Sequence, residues 1–311
     1  MAPKVSLLDD TRLVIGEGPH WDAEGQVLYY VDILDSTVLK YDSRSNKITR
    51  AVVDKKDKTT VTFILPIANT TDKFLIGYGS KVAVLTWDGV SSEPQNIEIL
   101  DEEEDASHTG NRFNDAKVDP EGRVWLGTMG PLQGPDKVVK NSGALYSLTD
   151  NGKLVKHVTD IGISNGLTWS PDKKIFYYID SIAGSIDSFD YDAKVGKIDN
   201  RKVVFDLKKN NVKGLPDGMT IDTEGKLWLA TYNGNAIYRI DPITSEILQR
   251  VELPASQITS VTFGGSNLDE LYVTSGSIDE PKGVPHVGRV FKITDLGVTG
   301  YPGVPAKLKL P

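Results

Sequence analysis

The chain has no cysteine among its 311 residues. That rules out disulfides, thiolate metal centres and a cysteine nucleophile. Histidine is scarce: His20, His108, His157 and His286 are the four, and none falls in a zinc spacing such as His-Glu-x-x-His. Positive charge is in deficit, with 35 Lys and Arg against 43 Asp and Glu and a net charge of −8. Phosphate binding needs a positive surface, so nucleic acid is not an expected partner. No apolar run approaches the ~20 residues of a membrane helix. The opening stretch MAPKVSLLDDTRLVIGEG lacks the apolar core of a signal peptide. The closing KLKLP does not match a peroxisomal Ser-Lys-Leu ending. The expectation is a soluble cytoplasmic protein with no membrane contact and no obligate protein partner. Helical periodicity is also nearly absent. Apolar residues alternate or come in short runs, as in Val27–Val31, Ile175–Ile179 and Lys226–Ala230, bounded by turn signals such as AEG, PEG, PDK and TEG.

What is present is a repeat. EGPHWDAEGQVLYYVD, NDAKVDPEGRVWLGT, NGLTWSPDKKIFYYID, DGMTIDTEGKLWLAT and TSVTFGGSNLDELYVTS begin at Glu17, Asn114, Asn165, Asp217 and Thr259. A weaker copy, ILPIANTTDKFLIG, begins at Ile64. Successive starts are 47, 50, 51, 52 and 42 positions apart. Each copy reads as strand, turn, strand, and a further hairpin follows it. Four strands in a period of roughly fifty residues are the signature of a propeller blade. The expectation is an all-β fold, a six-bladed β-propeller with four-stranded antiparallel blades around a central channel, formed by residues 1–311 as one domain. Ring closure should combine N- and C-terminal strands, with Gly288–Val298 supplying outer strands of the last blade. The acidic run Asp101–Asp105 and the Gly130–Asn141 segment read as irregular loops, the acidic run as solvated surface.

In a propeller the first strand of each blade lines the channel. Glu17, Ile64, Asn114, Asn165, Asp217 and Thr259 therefore form the expected ring at its mouth. Two carboxylates and two carboxamides on one axis are costly when dry and unpaired. Close carboxylates repel unless one takes a proton or a cation intervenes. A bound metal resolves this, with oxygen ligands from Glu17, Asp217 and Asn165 and with Asn114 nearby or reached through water. Such ligands favour Ca²⁺, Mg²⁺ or Mn²⁺. Three protein ligands leave open positions, which points to hydrolysis. The plainer alternative is that these groups hold channel water or cap strand ends, with Arg112 in a surface ion pair.

EGPHWD at Glu17, NRFNDAKVDPEGRVWLGTM at Asn111–Met129, ISNGLTWS, FYYIDS, LPDGMTID and FGG…LDELYVTS occur in order along the chain. Together they resemble the senescence marker protein/regucalcin/gluconolactonase family. VLTWDGVSS at Val84–Ser92 is most similar to its arthropod branch, which includes luciferin-regenerating enzyme. The resemblance implies a divalent-metal-dependent hydrolase that opens sugar lactones. It implies metal ligands Glu17, Asn165 and Asp217, substrate-binding Arg112 and Asn114, and Asp217 as general base. One divalent cation is implied, Ca²⁺ first, with Zn²⁺, Mn²⁺ or Mg²⁺ as alternatives. One departure stands out: Leu132 replaces a substrate-contacting Glu three residues after the Thr-Met pair. A luciferin-regenerating-like activity on a heteroaromatic substrate is the second reading. A non-catalytic calcium-binding regulator and a protein-binding propeller are the others.

Overall fold

The structure, a computed structural model, describes residues 2–103, 110–133, 137–278 and 283–310. Among the described residues there is no helix; the chain forms strands β1 to β24 in six four-stranded antiparallel sheets. These are the blades of a six-bladed β-propeller. The innermost strands are β2 (Gly16–Asp22), β6 (Val61–Pro66), β10 (Arg112–Val118), β14 (Ser164–Trp169), β18 (Leu215–Ile221) and β22 (Ile258–Gly264). Each lies against the next, and β22 lies against β2, so the six close around one channel.

The repeated Asp before each turn explains why the first hairpin forms where it does. Asp119 Oδ1 accepts from the Glu121 and Arg123 amides at 2.8 and 2.9 Å. Asp222 Oδ1 accepts from those of Glu224 and Lys226, and Asp22 Oδ1 from those of Glu24 and Gly25. The side chain thus satisfies turn amides that have no ladder partner. The core lies between blades, where the alternate faces of consecutive sheets meet. Trp21 stacks on Tyr272 at 5.1 Å between the last blade and the first. Trp125 packs on Phe176, and Trp228 meets Phe263 edge-on, at two other junctions. Trp21, Trp125 and Trp228 have no exposed surface. Each stabilises its junction by at least ~1.5–3 kcal/mol, the range for burying a large apolar side chain.

Closure follows the expectation. β1 (Lys4–Leu7) pairs with β24 (Phe291–Thr294), which pairs with β23 (Glu270–Ser275), so both chain ends build one sheet. The acidic run is less free than its charge suggests. Asp101 accepts from the Leu154 amide at 2.9 Å and pairs with Lys153, and Glu103 accepts from the Tyr146 hydroxyl at 2.8 Å. These carboxylates bind the second blade to the third. Glu104 and Asp105 lie outside the described residues, as do Gly134–Asp136 of the second loop and His108.

A strap made of residues 299–309 crosses the channel end opposite the first ring. Its backbone bonds run to Thr223, Leu268, Trp21, Pro66, Gly122 and Asp150 in turn. Five blades are thereby tied by one segment. Gly303 is required for the passage, because a Cβ there would sit 2.4 Å from His20 Nε2.

Candidate active site at the channel mouth

Ladder register defines the ring. Asn165 lies opposite Ile179, and Glu17 opposite Val31. In the other blades a β-bulge follows the residue before the ring position: Phe113, Pro216, Ile258 and, in the second blade, Val61. The ring is therefore Glu17, Thr62, Asn114, Asn165, Asp217 and Thr259. Thr62 takes the place expected for Ile64. Ile64 pairs with Ile76 and packs into the junction between the first and second blades. The reason is hairpin length: the ladder pair Leu65 and Leu75 spans two residues more than the equivalent Thr220 and Trp228. All six ring residues are polar and all are buried, none more than 9% exposed.

Glu17, Asn165 and Asp217 come together. Burial pushes the Glu17 carboxyl well above its usual range, and the charges of Asp217 and Asp115 push it further. Burial does the same to Asp217, with Asp115 next in effect; hydrogen bonds from Asn165, Glu17 and the Gly218 amide offset part of it. Glu17 Oε2 accepts from the Gly18 amide at 2.9 Å. Asn165 Nδ2 donates to Ser181 Oγ at 3.1 Å, which fixes the amide. The Asn165 Oδ1 is buried with no hydrogen-bond partner. An orphaned amide oxygen beside two mutually repelling carboxylates suits a hard divalent cation. The three residues therefore fit the implied metal. No three carboxylate or imidazole groups converge as a ligand set among the described residues; this set is two carboxylates and one amide. Gly166 matters here, since a Cβ at that position would lie 2.7 Å from the Asp217 carbonyl oxygen.

Arg112 and Asn114 sit together on β10. Arg112 Nη1 donates to Asn114 Oδ1 and to the Phe113 carbonyl, both at 2.8 Å, and Asn114 Nδ2 donates to the Ser164 carbonyl at 2.9 Å. Burial lowers the Arg112 guanidinium to about 10, with Glu17 holding it up. Arg112 is thus no surface ion pair. Two charged groups in the channel were not foreseen: Asp115, raised by burial to about 6, and Lys117, lowered by burial to about 8. Both are spelled in NDAK, directly after a ring residue, so the repeat alignment carried the signal. Leu132 is 59% exposed and bridges to Val138.

Six blades around one channel, with a cluster of oxygen-bearing side chains at its mouth, define a six-bladed β-propeller with a polar channel site. The chain belongs to the SMP-30/Gluconolactonase/LRE-like family, whose profile matches residues 15–277. It is 42% identical to regucalcin from Bos taurus over 298 residues, covering 93% of this chain and 94% of that one. Among solved structures, luciferin-regenerating enzyme is 41% identical with a TM-score of 0.91, covering 99% and 100% of the two chains. A calcium-binding protein, regucalcin, from Agrobacterium tumefaciens is 26% identical with a TM-score of 0.84, covering 98% and 97%. No helix among the described residues is long and apolar enough to cross a membrane.

Proposed function

We propose that the protein is a divalent-metal-dependent lactonase of the gluconolactonase type. The observation that carries this reading is the buried, partnerless Asn165 Oδ1 on a side chain grouped with the buried carboxylates of Glu17 and Asp217. Glu17, Asn165 and Asp217 would hold the cation. A relative described as a calcium-binding protein makes Ca²⁺ the first candidate, with Zn²⁺, Mn²⁺ and Mg²⁺ as alternatives. When bound, the ion polarises the lactone carbonyl and stabilises charge developing on its oxygen. Arg112 and Asn114, prepositioned by their mutual bond, orient the substrate's oxygens. Asp217 takes the proton from the attacking water and returns it to the ring oxygen as the acyl C–O bond breaks, so the lactone opens to a hydroxy acid. Enclosure of Glu17, Asn114, Asn165 and Asp217 in the channel limits competing water.

The test is hydrolysis of gluconolactone by chelator-treated protein, with Ca²⁺, Mn²⁺, Mg²⁺ and Zn²⁺ restored singly. Activity that appears only with a cation supports the reading; equal activity of the metal-free protein overturns it. A second reading is favoured by Leu132. An exposed apolar residue where the resemblance implies a Glu suits a less hydroxylated, heteroaromatic substrate, as does the 41% identity to luciferin-regenerating enzyme. Turnover of a heteroaromatic substrate exceeding that of gluconolactone under the same conditions would select it.

A further inference from the structure

Three residues along each inner strand from the first ring lies a second. His20 is opposite Tyr29, Leu65 opposite Leu75, Lys117 opposite Trp125, Thr168 opposite Tyr177, Thr220 opposite Trp228 and Thr262 opposite Tyr272. Five of the six are polar, although a strand facing a filled interior is normally apolar there. This ring lines a cavity of about 220 Å³ in the half of the channel crossed by the strap. Leu65, Trp169, Ile221, Val261 and Val304 supply its apolar wall, and Tyr301 and Lys173 stand at its exposed rim.

The polar groups there are chiefly donors with capacity to spare. Lys117 Nζ spends one proton on the Met219 carbonyl at 2.9 Å, which leaves two. The side chains of His20, Thr168 and Thr220 make no hydrogen bond among the described residues. The sole carboxylate on the wall is Asp115, which lies between the two rings and also acts on Glu17 and Asp217 of the metal ring. Below it the cavity offers a cation, an imidazole and three hydroxyls against an apolar floor. The Asp115 charge acts on Lys117 but no hydrogen bond joins the two among the described residues, so two protons of this part-buried ammonium want an acceptor, and a carboxylate is the strongest.

We propose that this lower cavity is a second ligand site, separate from the metal ring, for a small organic monoanion. The carboxylate rests on Lys117 and the hydroxyls of Thr168 and Thr220, and an apolar or aromatic body lies against Trp169 and Val261. The assignment does not depend on the lactonase reading, because none of these residues belongs to the first ring.

Calorimetric titration with benzoate, with benzyl alcohol as the uncharged control, tests it. Wild type binds benzoate saturably, and benzyl alcohol binds ~10-fold more weakly or less, the worth of a charge-assisted hydrogen bond. Lys117→Met weakens benzoate by a similar factor, and so does the Thr168→Val/Thr220→Val pair, which serves if the lysine variant fails to fold. Asp217→Asn and chelation leave saturable benzoate binding in place. Absence of saturable binding in wild type overturns the proposal. So does binding that survives Lys117→Met but is lost in Asp217→Asn, since the anion then sits on the metal ring.

Discussion

Replacing Asn165 with Leu separates the cost of the ring from its use. In the metal-free protein the buried Oδ1 has no partner, a state that costs ~1–3 kcal/mol. Leu removes that penalty but also removes the bond to Ser181 Oγ, worth ~1 kcal/mol. The two changes nearly cancel, so metal-free stability should move by no more than ~1 kcal/mol. Cation binding behaves differently. At a concentration 100-fold above Kd, a ligand stabilises the native state by ~2.7 kcal/mol. With an unfolding entropy of ~2.1 cal/mol/K per residue, a chain of 311 residues gains ~4 °C in Tm from it. If losing one of three ligands weakens binding ~100-fold, the gain at the same concentration falls to ~0.4 kcal/mol, under ~1 °C. The assay is thermal unfolding of wild type and Asn165→Leu, each with chelator and with Ca²⁺. A variant that keeps the full Ca²⁺-dependent shift would show that the amide oxygen ligates nothing. A large loss of stability in chelator would show that Oδ1 is satisfied after all.

Three further outcomes follow from named groups. Asp217→Ala should lower lactone turnover at saturating metal by ~10²–10⁴-fold, the usual worth of a general base; unchanged turnover in steady-state assays removes that role. Burial depresses His20 from 6.5 to about 4, so the unfolded chain binds the extra proton between those values and stability falls as pH drops through that window. Its share of the loss from pH 7.5 to 4.5 is ~2.5 kcal/mol, and His20→Gln should flatten the urea-denaturation profile by that amount; parallel profiles would refute it. Leu132→Glu should raise kcat/KM for gluconolactone by ~10-fold, one hydrogen bond to a charged group, while leaving an unhydroxylated lactone unaffected.

The blade count, the closure by both chain ends and five of the six ring residues were legible in the sequence because each blade repeats one strand–turn–strand. Glu17, Asn114, Asn165, Asp217 and Thr259 could be found by counting back from similar turns. Thr62 could not, because the second blade's hairpin is two residues longer than that of the fifth, and counting arrived at a core isoleucine. Asp101 and Glu103 read as solvated charges, since their partners Leu154, Lys153 and Tyr146 belong to the next blade. The strap was hidden for the same reason. Its bonds reach Trp21, Pro66 and Gly122 from the far end of the chain, and no local pattern announces them.

Asp115 and Lys117 change how the ring is understood. The sequence suggested two carboxylates and a cation; the channel holds Glu17, Asp115 and Asp217 against Arg112 and Lys117. With every group ionised, this buried set carries one negative charge in excess. Fully ionised, the metal-free first ring would repel an anion, and burial relieves this by driving Glu17 and Asp217 toward the neutral form. A divalent cation reverses the sign, leaving one positive charge in excess. Under the proposed reading, negative charge developing on a lactone oxygen is stabilised only in the loaded channel. Arg112 alone cannot supply this, because one guanidinium is already matched by the carboxylates around it. Charge balance thus accounts for both polar rings in one channel: the first makes cation binding favourable, and the second keeps Lys117 near enough to Asp115 to limit the repulsion among the carboxylates above it.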